Sequence, residues 1–132
     1  MREVTALIVD DSAVMRKIVE RALRQAGLGA LIVREAGNGH EGLEILKVQP
    51  VDLILSDINM PSMDGLEFLR QIVARKLAPG IPVVMITTES SEEHVKEAIQ
   101  AGARGYIRKP FTSEQVKQRV LPLLNAACQA AD

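Results

Sequence analysis

Five short apolar runs alternate with amphipathic stretches along the 132-residue chain, and this alternation limits the possible folds more than any other feature. The runs are rich in β-branched residues and apolar over most of their length, as strands covered on both faces are. They are Thr5–Val9, Leu31–Glu35, Leu53–Ser56, Pro82–Thr87 and Gly105–Arg108. Strict alternation of strand and helix predicts right-handed βαβ units, and therefore an α/β domain whose parallel sheet carries helices on both faces.

The stretches between and after these runs have helical spacing. A first helix is predicted between a capping Ser12 and a terminating Gly27, with Val14 and Ile18 on its apolar stripe and Arg16 facing outward. Further helices are predicted over Gly39–Val48, Gly65–Lys76, Glu92–Ala101 and Ser113 to about Leu124. Pro122 removes a backbone hydrogen bond from the last helix, so we expect a kink or an early stop there and a fraying helix end over residues 125–132.

Length and composition restrict the class of protein and its partners. A chain of 132 residues without a linker or repeat is predicted to form one domain. With 16 basic and 17 acidic residues, and no Trp, the chain has no general attraction for nucleic acid or an anionic membrane, and we expect neither as a partner. The apolar start Val4–Val9 is too short for a signal peptide, and no segment is long enough to span a bilayer. A cytoplasmic location is therefore expected.

Chemically reactive side chains stand at the ends of four of the five predicted strands. They are Asp10 and Asp11 after the first strand, Asp57 after the third, Thr87 at the end of the fourth and Lys109 after the fifth. A single Asp at a strand end is commonly only a turn former or a helix cap. In a doubly wound sheet, however, the carboxyl ends of the strands form the ligand site. The combination therefore favours a functional site over a set of unrelated turns.

Three carboxylates at one edge of a sheet need compensating charge. Two carboxylates about 4 Å apart repel by roughly 4 kcal/mol at an effective dielectric constant near 20, and Lys109 alone cannot balance three of them. Mg²⁺ prefers oxygen ligands and is commonly completed by a phosphate oxygen. Asp57 can then act as a nucleophile that forms an aspartyl phosphate, with Mg²⁺, Lys109 and Thr87 each contacting one phosphoryl oxygen.

Four segments together resemble the receiver domains of bacterial response regulators, over essentially the whole chain. They are Leu7–Ser12, Ser56–Gly65, Thr87 and Lys109–Phe111. Overall length and Tyr106 make the chain most similar to the single-domain chemotaxis regulators of that family. The resemblance implies a flavodoxin-like, doubly wound five-stranded parallel sheet of order 2-1-3-4-5 with five helices. It also implies a single receiver domain over residues 1–132, with no output domain.

The resemblance implies a metal-binding role for four residues. Asp57 would be the phosphoacceptor and, together with Asp11, would ligate Mg²⁺ through its side chain. Asn59 would contribute its backbone carbonyl, and Asp10 would act mainly through a bound water. Pro61 and Gly65 would shape the loop that follows the acceptor.

The resemblance also implies a switch. Thr87 and Lys109 would contact the phosphoryl oxygens, and the Lys109–Pro110 peptide bond is expected to be cis. On phosphorylation Thr87 would move toward the phosphoryl group and Tyr106 would rotate inward. The surface made by the fourth helix, the fifth strand and the fifth helix would then change, and a downstream target protein would bind there.

The function expected is that of a stand-alone response regulator of a two-component phosphorelay. A histidine kinase would donate the phosphoryl group, and the output would be phosphorylation-dependent protein binding in chemotaxis or motility control. A shuttle in a multi-step phosphorelay, or a regulator of another pathway, is the alternative. The acidic start of the fourth helix, Ser90–His94, departs from the basic surface of the flagellar-motor regulator that the chain resembles, and Thr88 stands where Ala is frequent. We expect a signalling protein with self-catalysed phosphorylation and dephosphorylation, not an enzyme.

Two alternatives from other classes fit the residues less well. A phosphohydrolase with an aspartyl-phosphate intermediate usually has a second acidic residue two positions after the nucleophile, where this chain has Asn59. A flavin- or nucleotide-binding module would need a phosphate loop rich in Gly, Ser or Thr after the first strand. The chain has Asp10 and Asp11 there, and these would repel a phosphate.

Overall fold

Five parallel strands form one sheet in the computed structural model, which describes residues 3–27, 30–87 and 92–131. The strands are β1 (Val4–Val9), β2 (Leu31–Ala36), β3 (Leu53–Asp57), β4 (Val83–Thr87) and β5 (Gly105–Arg108). Their order is β2-β1-β3-β4-β5, and every neighbouring pair is parallel. The predicted flavodoxin-like, doubly wound sheet is confirmed, and each strand boundary differs from its prediction by at most one residue.

Helices cover both faces of this sheet. They are α1 (Ala13–Gln25), α2 (Gly39–Val48), α3 (Gly65–Ala74), α4 (Glu92–Ala101) and α5 (Ser113–Ala131). One buried cluster joins alternate strand residues such as Ile8 and Leu55 to Leu23 of α1 and Val120 of α5. The cluster on the opposite face surrounds Phe68 of α3, which is fully buried. Because both faces are covered, the strands are apolar at successive positions.

Three helices begin at the polar caps that their sequences supply. The Ser12 hydroxyl accepts a hydrogen bond from the Met15 N–H at the start of α1, and Asn38 and Asp64 cap α2 and α3 in the same way. At the other end of α1, Gly27 has a φ of +78°, the left-handed conformation that glycine adopts readily after a helix. The predicted cap and terminator of the first helix are thus both present.

Two predicted helix ends are wrong. α3 ends at Ala74, two residues before the predicted boundary, because Lys76 lies in the left-handed region with a φ of +53°. α5 does not stop early at Pro122 but continues to Ala131. Pro122 is exposed, whereas Val120 and Leu124 on either side are buried in the core. Burial of this apolar face outweighs the loss of one backbone hydrogen bond.

α1 buries a narrower stripe than predicted. Its buried residues are Val19, Ala22 and Leu23, whereas Val14 is 70% exposed and Ile18 is 45% exposed. Val14 and Ile18 lie at the edge of the apolar stripe, beyond the arc of the helix that contacts the sheet. Arg16, which was predicted to face outward, keeps only 19% of its side chain exposed.

Some sequence predictions fall outside the described residues. They concern residues 88–91, which include Thr88 and the first two residues of the acidic stretch Ser90–His94. Within the described part of the chain, no helix is both long enough and apolar enough to cross a membrane.

Candidate functional site

The register of the central strands brings three carboxylates to one edge of the sheet. β1 pairs with β3 so that Val9 lies opposite Ser56, and the residues that follow are Asp10 and Asp57. One carboxylate oxygen from each of Asp10, Asp11 and Asp57 lies within 4.8 Å of the other two. Asp10 is 4% exposed and Asp57 is 8% exposed, whereas Asp11 is exposed to solvent. The cluster is therefore buried on one side and open on the other.

Lys109 from the end of β5 supplies a positive charge to this cluster. Its Nζ lies 3.2 Å from Asp10 Oδ2 and 3.6 Å from Asp57 Oδ2. The lysine is held by its backbone, because the Lys109 N–H donates a 2.8 Å hydrogen bond to the Thr87 carbonyl. The Lys109–Pro110 peptide bond that follows is cis. One ammonium group thus serves two buried carboxylates at the same time.

The charges and hydrogen bonds around Asp57 stabilise its ionised form only in part. Burial raises the pKa of Asp57 above its ordinary value of 3.8, and the charge of Asp10 raises it further. Lys109 and the backbone N–H groups of Asn59 and Ile58 act in the opposite direction but do not cancel the rise in pKa. An ionised Asp57 would therefore be favoured by a further cation at this edge.

Hydrogen bonds from the start of α1 fix Asp10. The Ser12 N–H donates to Asp10 Oδ1 at 2.9 Å, and the Asp10 N–H donates to the Ala36 carbonyl at 3.1 Å. The Arg16 side chain donates to the Asp10 carbonyl at 2.7 Å. The sequence does not predict this contact of Arg16. An arginine next to a lysine in the first turn of a helix looks, from sequence alone, like a side chain that faces solvent.

The loop after Asp57 brings the start of α3 so close to the backbone of Asp57 and Ile58 that only glycine fits at position 65. The Gly65 N–H donates to the Ile58 carbonyl at 2.7 Å. A Cβ at Gly65 would overlap the Asp57 carbonyl oxygen and would lie 2.7 Å from Met85 Cε. Asn59 lies in this loop with an exposed side chain, two residues after Asp57. The glycine therefore allows α3 to begin directly against the acidic edge.

Thr87 and Tyr106 lie on neighbouring strands. Thr87 is fully buried at the end of β4 and opposite Arg108 of β5. Tyr106 pairs with Met85, and its half-buried ring packs against the core cluster around Phe68. The structure thus brings Asp10, Asp11, Asp57 and Lys109 into one cluster, with Thr87 ending the strand between β3 and β5.

A doubly wound sheet with three carboxylates and a lysine at its carboxyl edge defines the class of receiver-like α/β domains. Residues 6–121 match the response regulator receiver domain. This match covers most of the chain, so the protein belongs to the response regulator receiver domain family. Members of this family are signalling proteins.

Individual proteins with similar sequences and structures agree with this family. The chemotaxis protein CheY-3 of Vibrio cholerae is 42% identical over 114 residues, which cover 86% of each chain. The chemotaxis protein CheY of Pseudomonas aeruginosa is 39% identical over 114 residues, which cover 86% of this chain and 90% of the relative. The solved structure of the Vibrio cholerae chemotaxis protein CheY4 aligns with a TM-score of 0.83 at 34% identity, over 92% of this chain and 99% of the other.

Proposed function

We propose that this receiver domain accepts a phosphoryl group on Asp57 from a histidine kinase and signals by binding a target protein when phosphorylated. The observation that carries the proposal is the position of the Asp57 carboxylate. It is 8% exposed, with an oxygen within 4.8 Å of oxygens of Asp10 and Asp11 and 3.6 Å from Lys109 Nζ. A nucleophilic carboxylate, a cluster suited to a cation and a fixed ammonium group are the parts that phosphoryl transfer requires.

The chemistry of the donor set fits Mg²⁺. The three carboxylates offer hard oxygen ligands, and one of the three is exposed, so the site is open to solvent on that side. Asp11 and Asp57 would bind the ion through their side chains and Asn59 through its backbone carbonyl, while Asp10 would act through a water. When bound, Mg²⁺ neutralises charge on the phosphoryl group.

The side chains of the site have distinct roles in the transfer. An Asp57 carboxylate oxygen attacks phosphorus, the P–O bond forms, and the P–N bond to the donor imidazole breaks with its electron pair returning to nitrogen. Lys109, already 3.6 Å from Asp57 Oδ2, contacts one phosphoryl oxygen, and the Thr87 hydroxyl contacts another. Asp10 holds Lys109 in place through its 3.2 Å contact. Attack of water on the same acyl phosphate later releases inorganic phosphate and ends the signal.

The output surface proposed for the phosphorylated protein comprises α4, β5 and α5. Thr87 moves toward the phosphoryl group, and Tyr106 rotates into the space that this movement leaves. The burial of Thr87 and the half-burial of Tyr106 on adjacent strands support this coupling. Beside Tyr106, a depression of about 210 Å³ is lined by Arg108, Gln115 and Arg119, among others, and lies on this surface.

Chemotaxis or motility control is the pathway that we propose, because the similar proteins of Vibrio cholerae and Pseudomonas aeruginosa are chemotaxis proteins. A phosphorelay shuttle is the alternative. Deletion of the gene should abolish chemotactic spreading in soft agar without removing the flagella, whereas normal spreading would favour the alternative. A cytoplasmic location, self-catalysed phosphorylation and dephosphorylation in place of turnover of an outside substrate, and a single domain without an output domain stay predictions.

Intact mass after incubation with acetyl phosphate tests the proposed acceptor. Wild type should gain one phosphoryl group in Mg²⁺ and none in EDTA, and hydroxylamine should remove it. Asp57→Asn should gain none. Asp64→Asn is the matched control, because Asp64 is exposed in the same loop and Asn caps a helix about as well as Asp. Full phosphorylation of Asp57→Asn, or none of folded wild type, would refute the proposal.

A further inference from the structure

The Arg16 side chain connects three segments of the chain. It lies in the first turn of α1, and its guanidinium group reaches back toward the carboxyl edge of the sheet. Nη1 donates to the Asp10 carbonyl at 2.7 Å, and Nε donates to Glu35 Oε1 of β2 at 2.9 Å. With 19% of its side chain exposed, this arginine belongs to the structured edge and not to the solvated face of the helix.

The carbonyl that Arg16 contacts belongs to the peptide unit between Asp10 and Asp11. The side chain and the N–H of Asp10 are held separately, by the Ser12 N–H and the Ala36 carbonyl. The orientation of the next peptide plane determines where Asp11 directs its carboxylate. Asp11 is exposed, so its side chain has little packing to fix it. The contact from Arg16 to the Asp10 carbonyl is therefore in a position to set the geometry of the acidic pair.

Glu35 supports Arg16 from the neighbouring strand. Glu35 lies opposite Ile8 of β1, and its second carboxylate oxygen contacts Lys17 Nζ at 3.2 Å. Burial alone would raise the pKa of Glu35, but hydrogen bonds and charges from Lys17 and Arg16 outweigh it, so the pKa is lowered. Glu35 is thus an ionised partner that holds the guanidinium group in the orientation needed to reach Asp10.

We infer that Arg16 is a positioning residue for the cation site, acting through the Asp10–Asp11 peptide with Glu35 as its support. This inference rests on the Mg²⁺ site of the proposed function. Two effects of Arg16 on Mg²⁺ affinity have opposite signs, which makes the inference testable. As a positive charge near a cation site, Arg16 would weaken Mg²⁺ binding. As the group that holds the peptide between two ligand residues, it strengthens binding.

Calorimetric titration of the unphosphorylated full chain with Mg²⁺ separates these effects. Arg16→Lys keeps the charge but loses the two-pronged fork, and Arg16→Met loses both. We expect both variants to bind Mg²⁺ about 10-fold more weakly, the size of effect seen when groups that orient metal ligands are removed. Affinity of Arg16→Lys within about twofold of wild type, or tighter binding by Arg16→Met, would overturn the inference.

Lys17→Met is the matched control. Lys17 contacts Glu35, as Arg16 does, but its side chain is 69% exposed, and Glu35 is the group that it shares with the arginine. Loss of this charge should leave Mg²⁺ affinity within about twofold of wild type or tighten it. If Lys17→Met loses as much Mg²⁺ affinity as Arg16→Lys, weaker ion pairing at Glu35 alone explains the effect. That result would overturn the role of the contact between Arg16 and the Asp10 carbonyl.

Circular dichroism and thermal unfolding in EDTA establish that each variant is folded before Mg²⁺ is added. If the Arg16 variants do not fold, Glu35→Asp decides the question, because it keeps the charge and shortens the reach to Arg16 Nε. We expect about threefold weaker Mg²⁺ binding by Glu35→Asp, and unchanged affinity would overturn the inference. If wild type itself does not bind Mg²⁺, the metal site of the proposed function fails along with the inference. If wild type binds and Arg16→Lys binds equally well, the inference fails alone.

Discussion

Replacement of the Asp57 carboxylate by an amide should stabilise the metal-free protein. Asp57→Asn preserves the shape of the side chain but removes one of three negative charges at the carboxyl edge. Because burial and Asp10 both raise the pKa of Asp57, its charged form is disfavoured in the folded protein relative to the unfolded chain. The variant should therefore have a larger free energy of unfolding than wild type at pH 7 in EDTA.

The size of this effect follows from the distances at the site. The carboxylate oxygens lie within 4.8 Å of one another, and at an effective dielectric constant near 20 like charges at that limit repel by about 3.5 kcal/mol. Asp10 and Asp11 together therefore oppose an ionised Asp57 by about 7 kcal/mol or more before solvent screening. Lys109 at 3.6 Å offsets about 4.6 kcal/mol of this repulsion. Solvent screens the repulsion between Asp57 and the exposed Asp11, which reduces the stability gained by Asp57→Asn. Burial of Asp57 disfavours its charged form, which increases that gain. We expect a net gain of about 1–3 kcal/mol for Asp57→Asn.

Urea denaturation followed by far-UV circular dichroism measures this gain. In EDTA the midpoint should rise for Asp57→Asn without a change in the denaturant slope. Mg²⁺ at ten times its dissociation constant should then raise the stability of wild type by about 1.4 kcal/mol, and that of the variant by less, because the variant lacks one of the proposed ligands. The difference between the two proteins should therefore shrink when Mg²⁺ is present.

The pH dependence of the stability difference between Asp57→Asn and wild type is an independent check on its sign. A group whose pKa is raised on folding favours the folded state below its unfolded pKa, and this contribution is lost as the pH rises through the folded pKa. In EDTA the free energy of unfolding of Asp57→Asn should thus equal that of wild type at acidic pH, and exceed it increasingly as Asp57 of wild type ionises. A variant that is no more stable than wild type at pH 7 in EDTA would refute the reasoning, since Lys109 would then fully balance the carboxylates.

Three further predictions concern other parts of the fold. Gly65→Ala should lower the free energy of unfolding by at least about 2 kcal/mol in urea, because its Cβ would overlap the Asp57 carbonyl; Gly27→Ala, which has a positive φ but open space, should lose only about 1 kcal/mol. Glu35→Gln should lower stability at pH 7 by less than about 1 kcal/mol, and the loss should disappear in acid as wild-type Glu35 protonates through its lowered pKa. Pro122→Ala restores a backbone donor at an exposed position of α5, so thermal unfolding should show a gain of about 1–3 kcal/mol. Equal losses for the two glycine variants, a Glu35→Gln deficit that persists in acid, or an unchanged Pro122→Ala would contradict the respective arguments.

The sequence predicts the strands and the cluster at their ends because both depend on local patterns. An apolar, β-branched run indicates a strand covered on both faces, and reactive residues directly after such runs must meet at one edge of a parallel sheet. The sequence therefore predicts that Asp10, Asp11, Asp57 and Lys109 lie together, and the structure brings them together.

Features that depend on tertiary contact could not be read from the sequence. Helical periodicity gives the direction of an apolar stripe but not the width of the arc that touches the sheet, so Val14 and Ile18 were assigned to a face that they do not share with Leu23. Arg16 contacts both the Asp10 carbonyl and Glu35 of β2, and no local pattern of α1 reveals either contact. The sequence predicts a kink or an early stop at Pro122; the early stop is wrong, because the apolar neighbours of Pro122 are buried in the core and the helix continues past it.

The contact between Lys109 and Asp10 joins residues 99 positions apart in the chain. During synthesis the amino-terminal part leaves the ribosome first, so all three carboxylates are available before the lysine that partly balances them has been made. A nascent chain in which β1 and β3 pair before β5 is made would carry an acidic edge without the Lys109 counter-charge, and closing this long loop costs more chain entropy than closing a short one. The site is thus a property of the finished sheet, and shorter amino-terminal fragments should carry an uncompensated cluster of negative charge.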